Sequence, residues 1–239
     1  MKCYICNGNL KYMGTMPFGK NQTDMPVLDE TPIDYYKCED CSFICAPEML
    51  KWSTEELGRR VYNEEYSQVD PGYGGVRAEG NVGYFKAMFS NRHIISKVQH
   101  LDYGSGEGFL SEKLKVLGYD SDYYDPFTSP SRPDRKYNFI TAIEVFEHST
   151  NIFDTVNDMK SFLKRDGVIF FTTNVADKTT TFDWWYILAR SGHIGIHSVK
   201  SLRIVGKRCG LFYENIDGGV HIMQRARSNF KNIRMGELR

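Results

Sequence analysis

Three groups of residues in this chain have types and spacings that could do chemistry. The first is Leu101-Asp102-Tyr103-Gly104-Ser105-Gly106-Glu107-Gly108. Its glycines let the backbone turn sharply and pass close to a ligand, because no Cβ stands in the way. About twenty residues on, Ser121-Asp122-Tyr123-Tyr124-Asp125-Pro126 reads as a strand ending in an acid, and a carboxylate there can accept hydrogen bonds from both hydroxyls of a ribose. A nucleoside is the ligand expected at that turn. The second group is Cys3-x-x-Cys6 followed, after thirty-one intervening residues, by Cys38-x-x-Cys41. Two such pairs can bring four thiolates to one tetrahedral metal and read as a zinc ribbon. The third is Glu144, Glu147 and His148, at i, i+3 and i+4, which on a helical turn share one face. His148 could act as a base near neutrality, or only orient a neighbour. Two carboxylates and an imidazole could instead hold a divalent ion, with His193 or His197 completing the set.

The surrounding pattern supplies elements to position these groups. Strands are expected near 98–103, 121–125, 138–143 and 167–173, separated by helix-length sequence such as Phe109 to Leu117. Such alternation gives a parallel sheet with helices on both faces. Leu211 to Ile216 and Val220 to Gln224 flank Asp217-Gly218-Gly219, a hairpin that makes the last strand antiparallel. Ahead of the core, Ser53-Thr54-Glu55-Glu56 fits a capping box, with Leu57, Val61 and Tyr62 on one helix face. A glycine-rich break spans Asp70 to Gly75, and Asn81 to Lys97 reads as a second helix with Val82, Phe85, Met88, Phe89, Ile94 and Ile95 inward. The stretch from Thr173 to Ser198 is irregular and carries Phe182-Asp183-Trp184-Trp185-Tyr186. Two adjacent tryptophans cannot both face one core. Because ligands of open sheets sit beyond the carboxyl ends of strands, this stretch is expected to form a substrate pocket or its lid, with a dimer contact as the alternative.

The spacing Asp-x-Gly-x-Gly-x-Gly resembles the first motif of class I S-adenosylmethionine-dependent methyltransferases. Tyr137 to His148 resembles their fourth strand running into E-V-x-E-H, and Leu163-Lys164-Arg165-Asp166-Gly167 resembles their L-K-P-G-G turn, with Arg165-Asp166 replacing Pro-Gly. The likeness runs in order from Val98 to Arg227. It implies an α/β fold: a Rossmann-like, mostly parallel sheet with a C-terminal antiparallel hairpin, here preceded by a small zinc ribbon. It also implies that Asp102, Gly104, Ser105 and Gly106 shape the methionine side of an S-adenosylmethionine pocket, that Asp125 binds the ribose, and that Ile143, Glu144 and Val145 line its wall. His148, with Glu147 and His193, would serve the methyl acceptor. The E-x-x-E-H letters are similar to those of metal-assisted O-methyltransferases of quinone rings and RNA ends. In such enzymes the segment before the first strand often covers the cofactor, so Tyr62, Tyr66 and Tyr73 are candidates to touch ligand or simply to pack.

Composition bounds the rest. At 239 residues, with 41% apolar and 25% charged, the chain can build one sizeable core plus an appended module. The segments expected are a ribbon at 1–50, a helical cap at 51–97, a methyltransferase domain at 98–227 and a basic tail at 228–239. Thirty basic residues balance thirty acidic ones, which argues against nucleic acid as a partner. No apolar run has membrane-spanning length, and the chain opens directly into the cysteine motif, so a cytoplasmic setting is expected. Reducing conditions there disfavour the alternative of two disulfides. Cys45 and Cys209 read as packed residues. A ribbon ahead of this core resembles methyltransferases that modify deoxysugar nucleotides or surface polysaccharides, and that resemblance implies a sugar, nucleotide sugar, surface-polysaccharide precursor or another small metabolite as the acceptor. The alternatives are an RNA methyltransferase whose ribbon binds RNA, and a non-catalytic scaffold that keeps the cofactor fold.

Overall fold

The computed structural model describes residues 1–21, 26–72, 75–89, 97–128, 131–227 and 229–231. Tyr73, Ile94, Ile95 and the tail residues Arg234, Glu237 and Arg239 lie outside them. Two compact units are formed, and each draws on separated parts of the chain.

One unit comprises Gly72–Ile143, Val156–Thr172 and Cys209–Arg239. Its six-stranded sheet holds β4 (Gln99–Tyr103), β5 (Asp120–Tyr124), β6 (Tyr137–Ile143), β7 (Leu163–Thr172), β9 (Phe212–Asp217) and β10 (Val220–Gln224), in the order β5-β4-β6-β7-β10-β9. The first four run parallel, and β10 is antiparallel to both β7 and β9. This is the Rossmann-like sheet and closing hairpin that the sequence implies. β6 is buried along all but its last residue, as an apolar central strand covered on both faces must be. Helix α3 (Gly75–Met88) begins six residues before the expected Asn81. It places Phe85 in a core with Phe89, Leu114, Phe139 and Val168. β7 begins at Leu163 rather than near 167, because Leu163 pairs with Tyr137 across an irregularity in β6 and draws the Arg165-Asp166 turn into the strand. Helix α4 (Phe109–Val116) follows the glycine turn, and α5 (Ile152–Phe162) precedes β7.

The other unit comprises Met1–Pro71, Glu144–Thr155 and Thr173–Arg208. Strands β1 (Leu10–Pro17), β2 (Pro32–Cys38), β3 (Ile44–Cys45) and β8 (Gly195–Ile196) form an antiparallel sheet in that order. Its core joins Ile33, Tyr35, Ile44 and Trp52 to Tyr186, Ile187, Ile194 and Ile196. The ribbon therefore does not pack alone: more than a hundred residues separate the two sets in sequence. Helix α1 (Thr54–Arg60) is capped as expected, with the Ser53 hydroxyl accepting from the Glu56 N–H at 3.1 Å. A short helix α2 (Tyr66–Val69) follows, and α6 (Val199–Arg208) closes the unit. Of the paired tryptophans, Trp184 packs against this core while Trp185 is 58% exposed. Among the described residues no helix is long and apolar enough to cross a membrane.

Candidate functional site

The glycine turn leaves the end of β4, where the Gly104 N–H donates to the Tyr124 carbonyl of β5 at 2.8 Å. Gly108, which caps α4, has φ 79°, and a Cβ there would lie 2.6 Å from the Tyr123 ring. Only glycine meets both demands. The Gly106 N–H donates to Asp125 Oδ2 at 2.9 Å, while Asp125 Oδ1 accepts from the N–H groups of Phe127 and Thr128 at 2.8 and 3.2 Å. The Thr128 hydroxyl returns a bond to the Gly106 carbonyl at 2.7 Å. Asp125 thus laces the loop after β5 to the glycine turn, a role the sequence reading did not foresee. Ser105 Oγ is buried in the same turn without a hydrogen-bond partner among the described residues. A polar ligand group would satisfy it, so the turn fits a cofactor with a charged amino-acid end.

Behind the turn runs a chain of buried hydrogen bonds whose direction the chemistry fixes. The Thr141 hydroxyl donates to Asp102 Oδ1 at 2.8 Å, so its oxygen accepts from His100 Nε2 at 2.8 Å. His100 Nδ1 must then accept from the Ser121 hydroxyl at 2.7 Å, and Ser121 from Ser111 at 2.9 Å. Full burial holds the His100 imidazole neutral, down to about 3. Burial pushes the Asp102 carboxyl up to about 7, with the Asp125 charge adding to it and the Thr141 bond opposing it.

The four cysteines converge as well. Their Sγ atoms all lie within 4.8 Å of one another, with 3.8 Å between Cys3 and Cys41 and 3.4 Å between Cys6 and Cys38. A tetrahedron of thiolates about 2.3 Å from zinc has edges of about 3.8 Å, so the set fits that ion. The residue after each second cysteine, Asn7 and Ser42, has positive φ, 65° and 59°, which turns the chain back toward the sulfurs. The hydrogen bond from Cys41 draws the Cys3 thiol down to about 5, against the upward pull of burial. Cys45 and Cys209 are buried, as expected of packed residues.

The third group is assembled differently from the helical face expected of it. Glu144 has φ 53°, in the left-handed region that a non-glycine residue rarely adopts, and the helical turn is a 3-10 turn of only Phe146–His148. Glu144 and Glu147 instead meet at Tyr186, whose hydroxyl lies 3.0 Å from Glu144 Oε2 and 2.5 Å from Glu147 Oε1. A phenol has one proton to give, so two anionic carboxylates around it need a further proton or a cation. Glu147 is fully buried, which raises its pKa, and its Oε2 has no hydrogen-bond partner among the described residues.

Both histidines are fixed by backbone carbonyls. His148 Nδ1 lies 3.0 Å from the Gly192 oxygen and His193 Nδ1 lies 2.7 Å from the Tyr186 oxygen. A carbonyl only accepts, so Nδ1 carries the proton and Nε2 of each neutral ring carries the lone pair. Burial keeps His193 neutral down to about 3. Ligand atoms of Glu147, His148 and His193 lie within 4.8 Å of one another, and His148 Nε2 stands 3.9 Å from Glu147 Oε1. Nδ1 held by a carbonyl with Nε2 presented is the arrangement of metal-binding histidines, so the donors fit a divalent ion. His197, the other candidate, is buried against the Phe43 and Phe146 rings. Val145 leads from Glu144 into the 3-10 turn. Tyr62 and Tyr66 pack on each other, ring centroids 5.0 Å apart, and Tyr62 also stands against His148. Tyr186 was visible in the sequence only as part of an aromatic run, and nothing there marked its hydroxyl.

A nucleoside-type glycine turn at the end of β4, in a sheet ordered β5-β4-β6-β7-β10-β9, defines a class I methyltransferase fold. Residues 83–214, more than half of the chain, match the family model described as methyltransferase domain, and the protein belongs to that family of S-adenosylmethionine-dependent enzymes. No curated protein matches the sequence. Among solved structures, an O-methyltransferase family protein from Burkholderia thailandensis is similar with a TM-score of 0.51 at 10% identity, over 75% of this chain and 66% of that one. The mitomycin 7-O-methyltransferase MmcR gives 0.47 at 15% identity, over 73% of this chain and 61% of that one. Magnesium protoporphyrin IX methyltransferase from Synechocystis PCC 6803, with bound S-adenosylmethionine, gives 0.41 at 12% identity, over 74% and 92%.

Proposed function

We propose that the protein transfers a methyl group from S-adenosylmethionine to an oxygen or carbon of a small molecule, foremost a sugar, nucleotide sugar or surface-polysaccharide precursor. The carrying observation is the cluster of Glu147, His148 and His193, with two histidine Nε2 lone pairs beside a buried carboxylate that has an unpartnered oxygen. Methyl transfer from a sulfonium is an in-line displacement, so an acceptor hydroxyl must be aligned and relieved of its proton. His148 is the residue proposed to receive that proton, Glu147 to hold the imidazolium that results, and His193 to orient the acceptor. In the alternative, a divalent cation held by Glu147, His148 and His193, with Glu144 nearby, would occupy the His148 Nε2 lone pair and supply Lewis-acid activation of that hydroxyl in place of the histidine base. Asp102, Gly104, Ser105 and Gly106 are proposed to hold the methionine end of the cofactor and Asp125 the ribose, with Glu144 and Val145 along the wall. Zinc on Cys3, Cys6, Cys38 and Cys41 would be structural, since four thiolates leave no open position. Four reduced thiols also suit a cytoplasmic setting.

The test is calorimetric titration of S-adenosylhomocysteine into wild-type and Asp125→Ala protein, followed by acceptor screening with nucleotide sugars, glycans and RNA. Micromolar binding that weakens at least tenfold in the variant, with turnover on a saccharide, is the expected result. No binding to folded wild-type protein would move the scaffold reading forward. Turnover on RNA that collapses with added salt would replace the small-molecule reading, because phosphate contacts are salt-sensitive.

A further inference from the structure

The ribbon sheet ends on the strand next to His193. β3 pairs with β8, Ile44 opposite Ile196 and Cys45 opposite Gly195. The Ala46 N–H donates to the Ile194 carbonyl at 3.0 Å, and the Tyr35 hydroxyl, on a fully buried residue, donates to the His193 carbonyl at 2.9 Å. Beyond β8, the Ser198 hydroxyl donates to the Cys41 carbonyl and the Lys200 ammonium to the Asp40 carbonyl at 2.6 Å. Ile194 completes the path, its N–H donating to the Glu147 carbonyl at 2.9 Å.

Those supports are short and close to the cysteines. β3 has only two residues, β8 only two, and the turn between Cys38 and β3 contains Ser42 in the left-handed region. Two-residue strands give little cooperative pairing of their own, and a positive φ at serine costs about 1 kcal/mol. Cys38 closes β2 and Cys41 opens the turn into β3, so a metal on these thiolates would pin both ends of that turn.

We propose that the four-cysteine centre and Tyr35 are positioning elements of the acceptor site: the metal-held ribbon sets β2 and β3, and these hold His193 and Glu147 in register. The ribbon is then a wall of the site and not a module for capturing nucleic acid. This rests on reading Glu147, His148 and His193 as the acceptor end. It differs from a purely stabilising role in predicting that ribbon damage is felt at Ile194 before it is felt in the cofactor sheet.

Amide hydrogen exchange on the full chain tests it, with zinc bound and after removal by a chelator under reducing conditions. Stripping should speed exchange of the Ile194 and Ile196 amides at least tenfold while Leu101, in β4, changes less than twofold. Tyr35→Phe, with zinc content unchanged, should speed Ile194 exchange and shift the nitrogen resonances of the His193 ring, whose Nδ1 is held by Tyr186. Unchanged protection at Ile194 on stripping, or equal loss at Leu101, would overturn the proposal, as would an unshifted His193 signal in the Tyr35 variant. These readouts need neither cofactor nor acceptor. An inactive protein would therefore count against the proposed reaction, while the exchange data would still decide whether the ribbon holds His193 and Glu147 in place.

Discussion

His100 offers the sharpest quantitative test of the buried chain behind the glycine turn. Its imidazole is neutral in the native sheet down to about 3, whereas an exposed histidine titrates near 6.5. Between those values the unfolded chain holds a proton that the native state lacks, so stability contributed by this residue is lost as pH falls below 6.5. Asp102 works in the opposite sense. Its native value of about 7 against 3.8 means the native state holds the extra proton, so its contribution falls as pH rises through that range. From about pH 4 to 6.5 the two slopes cancel, each being about 1.4 kcal/mol per pH unit. His100→Gln keeps a donor for Thr141, removes the acceptor for Ser121 and removes the titration. At pH 7 it should cost about 1–3 kcal/mol, the price of an unmade buried hydrogen bond. By pH 4.5 wild type has lost about 2.7 kcal/mol through His100 and the variant has not, so the deficit should shrink by about that amount. Amide exchange at Leu101, corrected for intrinsic rate, reads both free energies in β4 itself. A deficit equal at the two pH values would refute the neutral, directional chain.

Gly108→Ala forces a left-handed alanine and drives its Cβ to 2.6 Å from the Tyr123 ring. The expected loss is roughly 2–4 kcal/mol in chemical denaturation, with weaker S-adenosylhomocysteine binding; full stability would show that the turn relaxes freely. Tyr186→Phe removes the donor shared by Glu144 and Glu147, leaving a fully buried carboxylate less compensated. It should lower stability by about 1–3 kcal/mol and enlarge the gain in Tm on adding manganese, because a bound cation takes over the missing compensation. Equal manganese responses in variant and wild type would argue against a cation at the cluster.

The sheet was legible because its signals are local. β6 is apolar but for Asn138 and Thr141, the hairpin turns on Gly218-Gly219, and the Ser53 cap announces α1 within four residues. The cysteine pairs were legible because ligand spacing is itself a local constraint. The cluster around Glu147 was only half legible. Glu147, His148 and His193 stood out by residue type, with His197 offered beside His193, but Tyr186 reaches Glu147 from 39 residues away, through an irregular stretch with no periodicity to read. Glu144 was misplaced on a helical face because nothing in its neighbours' identities announces a positive φ, which tertiary contacts impose. β8 escaped notice since two residues carry no strand pattern.

Buried polar groups in this protein are satisfied to different degrees. From Ser111 through Ser121, His100 and Thr141 to Asp102, each donor meets an acceptor, so the chain admits nothing further along its length and serves to hold Asp102 still. Tyr4 Oη in the ribbon, Ser105 Oγ in the glycine turn and Glu147 Oε2 beside Tyr186 are buried with no partner among the described residues. Leaving such an atom unmet costs about 1–3 kcal/mol, and more where it is charged. On the proposed reading, a polar group of the cofactor would meet Ser105, and an acceptor hydroxyl or a cation would meet Glu147.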